Sequence, residues 1–178
     1  MAFNNLIHKQ LTLDTTIKPF KCRDTDLNSF LFDDAKKYLA SKMAVTYLFE
    51  DEVNNTTVAY YSLLNDKITF DPTQRSFWNK LNRRIANAKR RKDYPAVKIG
   101  RLAVDESHTG YGIGKDIIRF IKYMFAFGNR TGCRFITVDA YAEATTFYEK
   151  CGFNYLSDKD KNDRTRSMYY DLMNIANV

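Results

Sequence analysis

The sequence has few of the residues that mark a staple, a metal centre or a membrane span. Among 178 residues there are three cysteines, Cys22, Cys133 and Cys151. Their number is odd and none sits in a Cys-x-x-Cys pair, which argues against a disulfide framework. Two histidines and no Cys/His cluster argue against a zinc site, so no metal is expected. No run of about 18 apolar residues exists, so no membrane span is expected. The opening stretch MAFNNLIHKQ lacks the apolar core of a signal peptide, and the expected location is the cytoplasm. What is present is ordinary: 44% hydrophobic and 28% charged residues, the balance of a globular chain rather than a disordered one. The length fits one domain.

Charge is the first informative quantity. Lys and Arg number 28 against 21 Asp and Glu, a net of +7. Residues 74–92, QRSFWNKLNRRIANAKRRK, hold eight of the 28 cations and no acid, leaving 20 basic against 21 acidic residues elsewhere. One segment therefore carries the whole excess, and a focused patch attracts polyanions better than a diffuse charge. At 100° per residue, Phe77, Trp78, Leu81, Ile85 and Ala88 fall on one side of a helix, and Lys80, Arg83, Arg84, Arg90 and Arg91 on the other. A solvated helix face is the alternative, but such faces normally mix both signs. Trp78 is then the anchor of this helix.

Hydrophobic periodicity predicts the remaining elements. A weak strand runs to about residue 13. Leu27, Phe30, Leu31, Ala35, Tyr38 and Leu39 predict a helix capped by Asp24 or Asp26. Residues 43–50 and 56–64 read as a hairpin turning through DEVNN. A strand over 96–105 follows the basic segment, then a helix from 113 to about 128, a strand over 134–140 and a helix over 142–150. Gly152 is placed to stop that helix. A last strand spans 167–173. The order is that of a mixed α/β (α+β) single domain over 1–178 with a basic helical insert at about 72–93.

Between the strand ending at Asp105 and the next helix lies TGYGIGK, with Gly110, Gly112 and Gly114 alternating. Glycine lets backbone N–H groups converge on an anion, and the helix adds free N–H groups and a positive dipole end. That is a phosphate or pyrophosphate cradle. A P-loop is excluded, because the glycine gap is one residue short and Asp116 follows Lys115. The GxGxxG dinucleotide fingerprint is excluded because the pattern is GxGxG.

Together with these residues, GRLAVDESHTGYGIGKDIIRFI resembles the acetyl-CoA-binding motif of the GNAT acetyltransferase superfamily, whose core is Arg/Gln-x-x-Gly-x-Gly/Ala. Thr109 stands where Arg or Gln is usual, which removes one side-chain contact but none of the backbone donors. Downstream, ATTFYEKCGF resembles the family's A-x-x-x-Tyr-x-Lys-x-Gly-Phe signature, and Tyr141 stands where many members carry Asn. The resemblance implies the GNAT fold, a single mixed, mostly antiparallel sheet flanked by helices. It implies acetyl-CoA as cosubstrate, held by Leu102, Ala103 and Val104, by Thr109, Gly110, Tyr111, Gly112, Ile113, Gly114 and Lys115, and by Ala144. It also implies Tyr148 as the acid that protonates the leaving thiolate. An ordinary phenol near pKa 10 and a thiol near about 8.5 are close enough for that transfer.

A closer likeness is to the acetyltransferase toxins of toxin–antitoxin pairs. Phe20, Cys22, Leu27, Phe30 and Leu31 resemble an N-terminal pattern of that branch, and AYYSLL (59–64) resembles its second hairpin strand. The branch acetylates the α-amine of aminoacyl-tRNA, which would account for the basic segment through Lys80, Arg83, Arg84, Arg90 and Arg91. The partners implied are tRNA, a cognate antitoxin and a second copy in a homodimer.

No general base stands out. His108 sits beside the glycine loop and His8 in the first strand. An α-amine titrates near about 7.7 and a lysine near about 10.4, so the lack favours an α-amine acceptor. Asp105 reads as the close of a strand and Cys151 as a small packed residue. Two other readings stay open: an N-acetyltransferase of a small amine or a protein amino group, and a non-catalytic CoA- or RNA-binding protein.

Overall fold

Alternating side chains along three consecutive strands generate two opposite faces, each of which must be covered. In the computed structural model, which describes residues 5–83, 85, 91–129 and 131–175, this happens in a seven-stranded sheet of order β1-β2-β3-β4-β5-β7-β6. The strands are β1 (Ile7–Gln10), β2 (Val45–Asp51), β3 (Thr56–Thr69), β4 (Asp93–Val104), β5 (Phe135–Tyr141), β6 (Asn154–Tyr155) and β7 (Thr165–Asp171). The helices are α1 (Thr25–Ser29), α2 (Ala35–Ala40), α3 (Arg75–Asn82), α4 (Ile113–Phe127) and α5 (Thr145–Lys150). The chain divides into two compact units, Met1–Leu64 with Lys98–Met124, and Asn65–Val97 with Phe125–Val178.

In the first unit β1 pairs antiparallel with β2, and β2 with β3. One face carries Leu48, Tyr60 and Ala103, packed with Phe30, Leu31 and Ala35. Those three come from a continuous helical stretch in which a π-helical segment, Phe30–Asp34, joins α1 to α2. Its start is capped by Asp24, whose carboxylate accepts from the N–H of Asp26 at 2.8 Å and of Leu27 at 3.3 Å. Tyr60 Oη donates to the Leu27 carbonyl at 2.7 Å. The opposite face carries His8, Tyr47, Phe49 and Tyr61, and α4 covers it through Phe120, whose ring lies 4.9 Å from His8. Burial pulls the His8 imidazole below its usual pKa, and its Nε2 lies 2.9 Å from Tyr61 Oη.

In the second unit β7 pairs antiparallel with both β5 and β6. Its core gathers Ile68, Trp78, Leu81, Tyr94, Ala96, Phe135 and Tyr169. Trp78 of α3 stacks on Tyr94 with ring centres 4.9 Å apart, a pairing worth about 0.5–1.5 kcal/mol beyond its area.

The elements differ from the sequence expectation at several places. Helix α3 ends at Asn82, whose side chain accepts a hydrogen bond from Tyr94 Oη and whose carbonyl accepts from Ile85 N–H; residues 84 and 86–90 of the helix expected to about residue 92 lie outside the described residues. Arg91 lies outside any helix, immediately before β4. Strand β3 continues past Leu64 because Ile68 is a core position in an otherwise polar run. Strand β4 starts at Asp93, ahead of Pro95. Strand β6 has two residues, too few to carry a period.

Candidate functional site

The first unit holds the glycine loop. Strand β4 ends at Val104, and Asp105 caps a single 3₁₀ turn, Glu106–His108. The Asp105 carboxylate accepts from Lys21 N–H at 2.9 Å and from Ser107 N–H at 3.0 Å, as well as from the Ser107 hydroxyl. These bonds hold its pKa below the usual carboxylate value against the opposing effect of burial. Asp105 therefore fastens the strand end to the N-terminal segment. Ser107 Oγ in turn lies 2.9 Å from His108 Nδ1.

Past His108 the backbone turns twice through the left-handed region, at Gly110 (φ 91°) and Gly112 (φ 80°). A Cβ at either position would meet nothing within 4 Å. Conformation, not crowding, requires glycine at both, and both face open volume. Helix α4 begins at the next residue, Ile113. Ile113 is buried, whereas Tyr111 and Lys115 are exposed. On β4, Ala103 belongs to the core while Leu102 and Val104 are half-exposed on the other side of the pleat. The loop and the end of β4 are thus consecutive in one unit.

The second unit holds the tyrosine and the insert. A 3₁₀ turn over Ala142–Ala144 leads into α5, with the Thr145 hydroxyl donating to the Ala142 carbonyl at 2.8 Å. Gly152, at φ 80°, closes α5: its N–H donates to the Glu149 carbonyl at 2.7 Å, and Phe153 N–H to the Tyr148 carbonyl at 3.0 Å. Tyr148 is buried between Phe147 and Phe153, with ring centres 5.0 and 5.5 Å away. Burial, reinforced by Cys151, pushes its hydroxyl well above the ordinary phenol pKa. The oxygen therefore keeps its proton throughout the physiological range, though it yields it less readily than a free phenol. Cys151 is buried, and none of the three cysteines is in a disulfide.

Helix α3 turns Trp78 and Leu81 into the core and leaves Lys80 exposed, with Arg83 exposed just past its end. Arg91 is exposed ahead of β4. Arg84 and Arg90 lie outside the described residues, as does Ala88. The insert is fastened by Asp71, which caps the turn before α3 and pairs with Lys159. The Lys159 ammonium, then the Thr73 hydroxyl and N–H, hold the Asp71 carboxyl far below the usual range. Reasoning from sequence passed over this clasp, because its partners lie 88 positions apart. Among the described residues no group of three metal-ligating side chains occurs, and no helix is long and apolar enough to cross a membrane.

Residues 74–155 match the family model of the acetyltransferase (GNAT) domain. Solved structures share the fold over nearly the whole chain. The AtaT toxin complexed with acetyl-methionyl-tRNAfMet superposes with a TM-score of 0.76 at 22% identity, covering 94% of this chain and 95% of that one. AtaTR bound with acetyl-CoA gives 0.74 at 22%, covering 96% and 95%. A tyrosine-to-phenylalanine mutant of KacT gives 0.74 at 21%, covering 96% of both chains.

Proposed function

We propose that this chain, whose residues 74–155 match the model of the acetyltransferase (GNAT) domain, is an acetyl-CoA-dependent N-acetyltransferase of the toxin type, acting in the cytoplasm on the α-amine of aminoacyl-tRNA. The observation that carries the reading is the glycine loop: two left-handed glycines facing open volume directly before the N-terminus of a 15-residue helix. Free N–H groups and the dipole end of such a helix favour a diphosphate. That geometry fits the diphosphate of acetyl-CoA, which when bound supplies an activated thioester.

The chain's own residues then divide the work. The backbone from Thr109 to Gly114 and the Lys115 ammonium bind the diphosphate. The end of β4, Leu102 to Val104, orients the pantetheine arm along its half-exposed side. Tyr148 Oη holds the proton that the departing sulfur needs, and its burial keeps that proton in place at neutral pH. An α-amine, titrating near about 7.7, is already partly neutral and needs no strong base. The exposed cations of the insert bind the polyanion, as expected of a segment with eight positive charges and no acid. AtaT was solved with acetyl-methionyl-tRNAfMet and with its antitoxin AtaR. By analogy, the expected partners here are tRNA and a cognate antitoxin.

The test is to incubate the protein with acetyl-CoA and total aminoacyl-tRNA, digest with nuclease and read aminoacyl-adenosines by mass spectrometry. The expected product is an N-acetylaminoacyl-adenosine for at least one amino acid. Acetylation confined to polyamines or peptides in a parallel panel would move the assignment to a small-amine or protein enzyme.

A further inference from the structure

The second unit contains a cleft that the acetyl-transfer chemistry does not use. Its volume is about 450 Å³, and it lies between the start of α3 and the segment after β6. Polar edges dominate one part: Gln74, Ser76 and Ser157, with Lys159 at the margin. Phe77 and Tyr155 supply two aromatic rings. The frame is rigid. Gln74 Nε2 donates to Ser157 Oγ at 2.9 Å, Ser157 Oγ accepts from Lys159 N–H at 2.9 Å, and Lys159 pairs with Asp71. Tyr155 is backed by the Arg166 guanidinium, 4.3 Å from its ring centre. Phe77 is backed edge-on by Tyr169 at 5.5 Å.

We propose that this cleft seats one unpaired nucleobase of the RNA whose phosphates the basic insert holds. The inference rests on the aminoacyl-tRNA reading above and names a contact within it. Single-stranded RNA is bound by stacking bases on aromatic rings and by hydrogen bonds to their edges, next to cations that follow the backbone. All three requirements meet here, on two short segments, 73–77 and 155–159, and the helix that follows the first. The helix whose first turn walls the cleft bears Lys80 and ends just before Arg83, and Arg75 lies exposed in that same first turn. The cleft is the size of a small-ligand site. Among the described residues of its wall the one cation, Lys159, is paired with Asp71, and Asp158 is also in the wall. A free phosphate or an acidic peptide would gain little there. A neutral, flat, hydrogen-bonding ring fits better.

The test separates bases from phosphates. Fluorescence anisotropy would compare a labelled single-stranded tetraribonucleotide, ACCA, with an abasic ribose-phosphate chain of the same length. Base stacking should make the wild type bind ACCA at least about fivefold more tightly than the abasic chain. Ser76 is exposed on α3, so Ser76→Trp should fold while filling the cleft. It should abolish the difference and leave the abasic affinity alone. Ser76→Ala, which adds no bulk, should retain most of the preference and serves as the folding control. Equal affinity for the two chains in the wild type, or a preference that survives Ser76→Trp, would overturn the proposal. Loss of antitoxin binding in Ser76→Trp with ACCA binding intact would assign the cleft to a protein and overturn it as well. A wild type that binds ACCA selectively yet acetylates no aminoacyl-tRNA would leave the cleft standing and remove the enzymatic reading.

Discussion

The glycine loop and the basic insert are both proposed here as anion-binding elements, but they are encoded in opposite ways. The loop works through backbone geometry. Two glycines at positive φ set its main-chain course, and the Thr109 side chain, where Arg or Gln would be expected, takes nothing from those backbone donors. The insert works through side-chain charge on an ordinary helix whose other face is anchored by Trp78 and Leu81. The first should select a compact diphosphate and be insensitive to distant charge. The second should grip any polyanion and be sensitive to salt.

The largest effect should come from a residue in neither element. Tyr148→Phe removes one oxygen from a packed ring, so the variant should fold and bind acetyl-CoA normally. Turnover with chemistry rate-limiting should fall by roughly 10²–10⁴-fold, the usual worth of general acid catalysis. A loss below about threefold would leave both anion elements without a catalytic centre to serve.

Next, the loop can be broken in two ways at one atom. Gly112→Asn and Gly112→Asp are nearly isosteric, Asn and Asp both tolerate left-handed backbone, and the space beyond Cβ is open. The difference between them therefore isolates charge. Calorimetry should find CoA bound about three- to thirtyfold more weakly by the Asp variant than by the Asn variant, since an acid at a helix-terminal anion site opposes the ligand. Neither change should alter the salt dependence of tRNA binding.

Reversing Lys80 and Arg83 to Glu should do the opposite. Acetyl-CoA affinity should stay constant, while tRNA affinity drops and the slope of log affinity against log salt flattens by about 1.4–1.8 if both cations touch phosphates. An unchanged slope would reduce the insert to a solvated face.

The smallest effect is one of pH. Asp71 has its carboxyl held low by Lys159 and Thr73. A lowered folded-state value means that the clasp contributes fully above the unfolded pKa, near about 3.9, and is lost as pH falls through the lower folded value. Thermal midpoints of the wild type and Asp71→Asn should therefore differ at neutral pH and draw together only below about pH 4. Convergence at pH 6 would contradict the clasp.

These regions also differ in how far they could be read from sequence. The glycine loop was legible because alternating glycines between a strand and a helix are a local signal, and α5 with its Gly152 stop was legible for the same reason. The insert is legible in part. A charge pattern continuous through Lys92 suggested a helix equally long; α3 ends at Asn82, whose side chain accepts from Tyr94 of the next strand, and residues 84 and 86–90 lie outside the described residues. The extension of β3 through Ile68 and the two-residue β6 depend on partners far along the chain. The Asp71–Lys159 clasp and the cleft beside it are of this kind too, since each joins segments about 80 positions apart. The ordinary phenol pKa assumed for Tyr148 missed its burial between two phenylalanines, which no linear pattern displays.

The most direct measurement follows label from acetyl-CoA into a mixture that holds aminoacyl-tRNA, deacylated tRNA, polyamines and peptides at equal amine concentration. The account predicts that label enters aminoacyl-tRNA alone, that it is released with the amino acid by mild base, and that added salt suppresses it. Label in the polyamines or peptides with aminoacyl-tRNA unlabelled, at a rate indifferent to salt, would contradict it.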